Sequence, residues 1–257
     1  MRAAVAAGHA VTARAGADVL ERGGNAFDAV VAAGAMSWAA EPGLTGPCGG
    51  GFLMVRPAGG ATRLVDAFTA IAGLDLPPGR RLAEVERVLV PFDEKTTQEF
   101  HIGAAACAVP GVLAGLYAVH RRFGSMPWPE LLLPAAEAAA RGVGSSGGQY
   151  AVLVAIREIL RHTPEVSAVF WPRGELVGEG APIRQPDLAA TIARLAERPE
   201  DLYTGELARA IVAHQHETGG PLTAADLAAY RPAWRRPLLV PYGRHVIATN
   251  PPPSSGG

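Results

Sequence analysis

Lysine is almost missing from this chain of 257 residues: Lys95 stands alone among 23 basic side chains, and the rest are arginine. That is a bias of composition and carries no chemistry. Aromatic residues make up only 6%, and there are two cysteines, Cys48 and Cys107. Two thiols exclude a disulfide framework and a cysteine-rich metal site, and a reduced compartment is the default for so few. Both are expected as packed small side chains. An excess of either charge is also lacking, with 23 basic against 24 acidic residues, so no general field draws the chain to nucleic acid or an anionic membrane. The longest uncharged apolar run, Ala29 to Ala40, is about half of the roughly 20 residues that a spanning helix needs. His9 and Arg14 interrupt any signal-peptide core. The chain therefore reads as cytoplasmic, or as secreted or periplasmic if a leader has been removed.

What is present suits a folded domain. Hydrophobic residues reach 49% and charged ones 18%, enough to bury a core, while 31 glycines and 22 prolines imply many tight connections. Thr12 to Glu21 has the spacing of an amphipathic helix, stopped by Gly23-Gly24-Asn25, where a left-handed helix end is expected. Asp28 to Ala40 restarts as an almost wholly apolar helix that must lie between layers. Gly49-Gly50-Gly51 runs directly into Phe52 to Val55, and turn residues Pro57 to Gly60 separate that strand from Thr62 to Phe68, giving a hairpin. Leu74 to Phe100 is proline-punctuated, charged and read as an irregular surface excursion. Helices follow over Val109 to Arg122, over Trp128 to Arg141 with Pro129 in its first turn, and after the Gly142 to Gly148 linker as far as His162. Gln185 to Glu197 and Gly205 to His216 are helical in pattern. Thr223 to Asp226 is a capping-box variant, and Leu238 to Thr249 is strand, turn, strand. Strands and helices do not alternate as in a doubly wound fold, which favours layers around an antiparallel sheet. The final Pro251 to Gly257 reads as a connection to something further.

Several patterns mimic chemistry. Gly144-Ser145-Ser146-Gly147-Gly148 fits the G-x-S-x-G elbow of serine hydrolases, but helical residues precede it where a strand is required, so a flexible linker is expected. Thr96-Thr97, a candidate processing site, sits in the charged stretch Asp93 to Glu99 and reads as exposed loop. Gly49 to Gly51 lacks the lysine of a phosphate loop and precedes a strand, so close backbone packing explains it better. His214 and His216 lack the i, i+4 spacing of a helical metal pair and belong on the surface. Trp171, Trp234 and Tyr230 read as core or interface. Glu41 and Thr45 flank the glycine loop and are candidates to support it.

A collinear set of segments resembles the large subunit of the γ-glutamyltranspeptidases, a family of N-terminal-nucleophile hydrolases. The segments are Ala15 to Ala29 around Glu21-Arg22-Gly23-Gly24-Asn25, Gly49 to Phe52, Val109-Pro110-Gly111 with Gly115, and Arg122 to Trp128. Leu202 to Ala208, Gly219 to Tyr230 and Pro251 to Gly257 continue the set. The resemblance covers nearly the whole chain. It implies a single domain over residues 1–257 that is most of a large subunit, and a four-layer αββα sandwich completed by a separate small subunit. It also implies a self-cleaving precursor whose small subunit begins with a nucleophilic threonine, so no catalytic residue is expected in this chain. A dimer of such heterodimers is compatible with it. No metal or organic cofactor is implied, and the glycines Gly49, Gly50 and Gly51 are expected near the active site.

One departure stands out. The family pattern Asp-x-Arg-Glu, whose arginine clamps the α-carboxylate of the glutamyl group, is here Asp66-Ala67-Phe68-Thr69. A phenyl ring cannot make that paired, charge-assisted contact. Either Arg63 or His101 substitutes, or the acyl group is not γ-glutamyl, and the second reading is preferred; the expected substrate-binding set is Phe68, Thr69, Arg63 and His101. Alternatives are a cytosolic hydrolase of the same family cleaving a carbon–carbon bond in an alkyl-proline type of biosynthesis, and a non-catalytic binding or assembly protein.

Overall fold

The computed structural model describes residues 3–252 and residue 254. Pro253 and Ser255 to Gly257, part of the expected terminal connection, lie outside the described residues. The elements in order are α1 (Ala10–Glu21), α2 (Ala26–Ala40), β1 (Gly51–Val55), β2 (Arg63–Ala67), β3 (Glu86–Pro91), β4 (Thr97–Ile102), α3 (Val112–Phe123), α4 (Trp128–Arg141), β5 (Val143–Gly144), α5 (Gly147–Ala155) and α6 (Arg157–Leu160). Then come α7 (Pro164–Phe170), β6 (Pro182–Ile183), α8 (Pro186–Glu197), α9 (Asp201–Thr204), α10 (Glu206–Glu217), α11 (Ala224–Ala229), β7 (Ala233–Arg235), β8 (Leu238–Tyr242) and β9 (His245–Thr249).

The first helix begins two residues before Thr12, because His9 is its cap: Val11 N–H donates to His9 Nδ1 at 3.1 Å, while His9 Nε2 bonds Gly144 O at 3.0 Å. Gly23 takes the left-handed conformation, φ +92°, that closes the helix. Asn25 does not share it. It caps α2 instead, accepting from Phe27 N at 2.8 Å and Asp28 N at 3.1 Å, while Asp28 accepts from Asn25 N at 2.9 Å. The helix therefore starts at Ala26, two residues before the expected Asp28. Ser125 N–H and hydroxyl also donate to Asp28, at 2.9 and 2.6 Å, and bind the head of α2 to the loop between α3 and α4.

The main core joins α2, α3, α4 and α8 through Val31, Ala35, Trp38, Leu113, Leu131, Leu132, Ile192 and Leu195. Trp128 spans it, donating its indole N–H to Leu195 O at 3.0 Å. The opposite face of α2 is less covered than expected, since Val30 is half exposed. A three-stranded antiparallel sheet in the order β1-β2-β7 lies beside α3. Its register pairs Phe52 with Asp66 and Leu53 with Val65, and Asp66 with Ala233. Val55, Val65 and Val119 close the core between sheet and helix. Gly115 permits that contact, because a Cβ there would press on Leu53 at 3.1 Å and, closer, on Ala67 Cβ. β1 and β7 are both edge strands.

Some expectations need correction. Residues 74–100 are not wholly irregular: β3 and β4 form a hairpin with Arg87 opposite His101. Its turn is made by Asp93, whose carboxylate accepts from Lys95 N and Thr96 N at 2.7 Å each, a local side-chain signal rather than a glycine turn. Only Thr96 of the Thr96-Thr97 pair is in that loop; Thr97 opens β4. The Gly142 to Gly148 linker is anchored rather than free: β5 pairs with β6, and Ser146 caps α5. The helix expected to reach His162 breaks at Ile156. Residues 164–170 and 233–235 add a helix and a strand that were not anticipated. Neither cysteine is in a disulfide and both are exposed residues, although burial of its thiol raises Cys48 and Gln215 Nε2 donates to Cys107 Sγ at 3.3 Å.

Candidate functional site

Three distant segments meet beside the end of β2. The first is the glycine run. Gly49 O accepts from Gly111 N at 2.9 Å and Val112 N at 3.0 Å, so the loop satisfies the first donors of α3. The second is Phe68-Thr69: a Cβ on Gly50 would lie 2.6 Å from Thr69 N and 3.1 Å from Phe68 C. The third is Val109-Pro110-Gly111, tied to the same strand by paired backbone bonds between Ala70 and Val109 at 3.2 and 2.8 Å. Glycine is required at 50 and 111 by close approach, not by an unusual φ.

Two tyrosines brace the junction. Tyr230 donates to Phe68 O at 2.7 Å, and its ring stacks on Tyr203 with centroids 5.9 Å apart. Tyr203 in turn donates to Pro110 O at 3.3 Å and accepts from Ala114 N at 3.2 Å. Burial, with the charge of Asp66 adding to it, pushes the Tyr230 phenol up to about 12. Burial also raises Tyr203. Both hydroxyls are therefore neutral donors at physiological pH.

Just past the end of β2, on the face away from α3, Phe68 is 44% exposed and its ring is stacked on Phe52, centroids 5.4 Å apart and planes at 16°. Asp66 lies between the two strands on that face. Its Oδ1 accepts from Phe68 N at 3.2 Å and its Oδ2 from Arg235 Nε at 2.8 Å. Arg235 from β7 thus brings a cation to this face, paired with Asp66.

Of the expected residues, the fold brings together Gly49, Gly50, Phe68 and Thr69, with Gly51 opening β1 next to them. Arg63 begins β2, about 16 Å along the strand from Phe68 at about 3.3 Å per residue, and alternation turns it to the other face. His101 lies in the separate β3-β4 hairpin with its Nε2 3.0 Å from Glu99. Glu41 and Thr45 bond within their own turn and to α1 rather than to the glycine run: Leu44 N and Thr45 N donate to Glu41 O at 2.9 and 3.0 Å, and Thr12 donates to Glu41 Oε1 at 2.7 Å. Both line a cavity of about 850 Å³ that reaches Gly49 and Gly50 from the α2 side, past Val30, Trp38 and Leu44. Ser146, the centre of the G-x-S-x-G pattern, spends its hydroxyl on Gln149 N–H as a helix cap. Among the described residues no cluster of three or more His, Cys, Asp or Glu is placed to hold a metal ion.

The sequence reading missed Phe52, Asp66, Arg235 and the role of Tyr230. Only the alternation Phe52, Met54 hinted at a shared face. The contacts to Tyr230 and Arg235 span 162 and 169 residues and leave no local signal.

The family described as gamma-glutamyltranspeptidase matches residues 12–257. The chain is similar to the acylase ACY 1 proenzyme of Pseudomonas sp. strain V22, 35% identical over 263 residues, covering 100% of this chain and 46% of that protein. It is also similar to the glutathione hydrolase proenzyme of Pseudomonas aeruginosa, 33% identical, covering 99% of this chain and 43% of that protein. The chain thus spans less than half the length of these relatives. Among solved structures, it resembles the gamma-glutamyltranspeptidase from Pseudomonas nitroreducens complexed with L-DON, with 31% identity and a TM-score of 0.80 over 99% of this chain and 72% of that one. For the Helicobacter pylori gamma-glutamyltranspeptidase the values are 30% and 0.83, over 99% and 71%. The mixed helix and strand fold is the one these structures share.

Proposed function

The chain belongs to the gamma-glutamyltranspeptidase family, and from that membership we propose that it is the large subunit of an N-terminal-nucleophile hydrolase or acyltransferase whose threonine nucleophile sits on a small subunit of the same precursor. Its share of the proenzymes it resembles, 46% and 43%, supports this reading. So do the open edges of β1 and β7, which offer unpaired backbone donors and acceptors to a companion chain.

In this mechanism the free amine of the small subunit's threonine takes the hydroxyl proton, the oxygen attacks the scissile carbonyl, and donors hold the oxyanion. Collapse expels the leaving group to give an acyl-enzyme, which water or an amine resolves. The residues described above supply a rigid wall for the acyl group: the glycine run and Gly111 fix the backbone of Phe68 and Thr69.

The substrate is one other than a standard γ-glutamyl amide. A single observation carries this: the position that the family resemblance gives to a carboxylate-clamping arginine holds the half-exposed ring of Phe68. A relocated clamp has little support from Arg63 or His101, given the strand end and the hairpin on which they lie.

The test has two parts. Mass spectrometry of the purified protein is expected to find a second polypeptide beginning with threonine; its absence would favour a binding or assembly protein. Assay of γ-glutamyl anilide beside hydrophobic amide and diketo substrates should then show preference for a non-glutamyl donor. Phe68→Arg should lower that activity at least about tenfold, or about 1.4 kcal/mol of transition-state stabilisation, and introduce γ-glutamyl cleavage. Unchanged activity on both would remove Phe68 from the pocket.

A further inference from the structure

We propose that the acyl group accepted by this site is flat and aromatic, stacking on Phe68, and that Phe52 is the positioning residue that fixes the plane of that ring. The proposal rests on the reading above that Phe68 faces the substrate, and it deepens it by naming the acyl class.

The strand register makes the arrangement. Phe52 is directly opposite Asp66, so Phe68, two residues further on, is its diagonal neighbour on the same face, within reach of an aromatic side chain. The two rings lie nearly parallel at 5.4 Å. One side of Phe68 is therefore taken by Phe52, while 44% of the residue stays exposed. A stacked planar group gains from ring geometry in a way that a saturated group of equal volume does not.

The backbone under the ring is held at both ends. Phe68 N–H bonds Asp66 Oδ1 at 3.2 Å and Phe68 O accepts from Tyr230 at 2.7 Å. Gly50 and Gly111 leave no space for that segment to shift, with hypothetical Cβ atoms at 2.6 Å from Thr69 N and 2.8 Å from Phe68 O. A platform fixed before binding loses little ordering free energy on association.

The charges nearby act against a carboxylate. Asp66 holds Arg235 through Nε at 2.8 Å, so a substrate carboxylate approaching Arg235 also meets the Asp66 carboxylate. A neutral aromatic acyl group meets no such opposition, and this is specificity by exclusion as much as by attraction.

The experiment compares phenylacetyl, cyclohexylacetyl and γ-glutamyl p-nitroanilides as substrates of the processed two-subunit enzyme. The wild type is set beside Phe52→Ala, Phe52→Tyr and Phe68→Leu. The phenylacetyl compound is expected to exceed the cyclohexylacetyl one about three- to tenfold in kcat/KM. Phe52→Ala should erase that ratio, mainly through KM, Phe52→Tyr should restore it, and Phe68→Leu should also erase it. Because the ratio is taken within one preparation, partial misfolding does not alter it. Equal use of the two neutral acyl groups, or a ratio indifferent to Phe52→Ala, overturns the aromatic platform while leaving the hydrolase reading intact. Turnover of the γ-glutamyl compound alone overturns it in favour of Arg235 as the carboxylate clamp. No turnover of any of the three sinks the acyl-transfer reading, and the platform with it.

Discussion

Gly111 has no room for a side chain, although its φ of −127° is one that any residue adopts. A Cβ there would lie 2.8 Å from Phe68 O, and closer to the Tyr230 hydroxyl and Ala67 O. Gly111→Ala is therefore expected to destabilise by about 1–3 kcal/mol through overpacking, measured as a lower urea midpoint. It should also push Phe68 O away from Tyr230. Tyr230→Phe removes that hydrogen bond without a clash, and its cost should stay near the ordinary 0.5–1.5 kcal/mol of about one such bond. If the two variants were equally mild, Gly111 would not be a point of close approach. At this scale the sequence was partly legible. The unbroken Gly49 to Gly51 run announced tight backbone packing, but which backbone it packs against could not be read, because Thr69 and Gly111 arrive through tertiary contact.

Helix heads depend on residues three or four apart and were partly legible: the Thr223 box was read, whereas the caps His9, Asn25 and Ser146 were not. Thr223 and Asp226 form the expected capping box, and Asn25 with Asp28 forms another. Asn25→Ala should lower stability by about 1–2 kcal/mol, visible as a reduced Tm. Each box also has a long-range use. The Asp28 carboxylate reaches Ser125, and that of Asp226 accepts from Gly73 N at 2.9 Å and Leu74 N at 2.9 Å. Burial works to raise both carboxyls, yet the hydrogen bonds outweigh it and hold each below the usual carboxylate range. A folded-state pKa below the unfolded one gives stability that is complete above the unfolded pKa of about 4 and lost as pH falls through the folded one. Tm should accordingly stay nearly level from neutrality to about pH 5 and drop below about pH 4. In Asp28→Asn with Asp226→Asn the starting Tm should be lower and the acid slope shallower; an identical slope would assign acid lability to other groups. The β3-β4 hairpin escaped the sequence reading at this same scale, because β3 buries only Val90 and leaves Leu89 exposed, and a strand with little buried face shows no clean alternation.

At the scale of the whole molecule, several large apolar side chains are exposed. Leu239 at 60%, Tyr242 at 70% and Val246 at 65% exposure are on the β8-β9 hairpin, and the 850 Å³ cavity flanks α2. Leu239 and Val246 share one face of the hairpin and Tyr242 lies on the other, so both faces carry exposed apolar side chains that a companion chain would cover. Produced alone, residues 1–257 should bind a hydrophobic dye and self-associate on size exclusion. Produced together with the proposed small subunit, they should do neither. A well-behaved monomer that binds no dye would argue against a companion chain on these faces.

Local chemistry was enough for the amino-acid order to determine the Thr223 helix head and the β1-β2 hairpin. Each is closed by hydrogen bonds or apolar periodicity within a few residues. The proposed replacement of a charged clamp by Phe68 rests on the family resemblance of Asp66-Ala67-Phe68-Thr69. Which groups share the open face was decided only in three dimensions: Phe52 across the register, Asp66 with Arg235, and Tyr230 on the carbonyl of Phe68. Those contacts exist because the antiparallel sheet and the α3 junction bring together segments up to 169 residues apart, and burial selects such pairings without leaving any periodic mark in the chain.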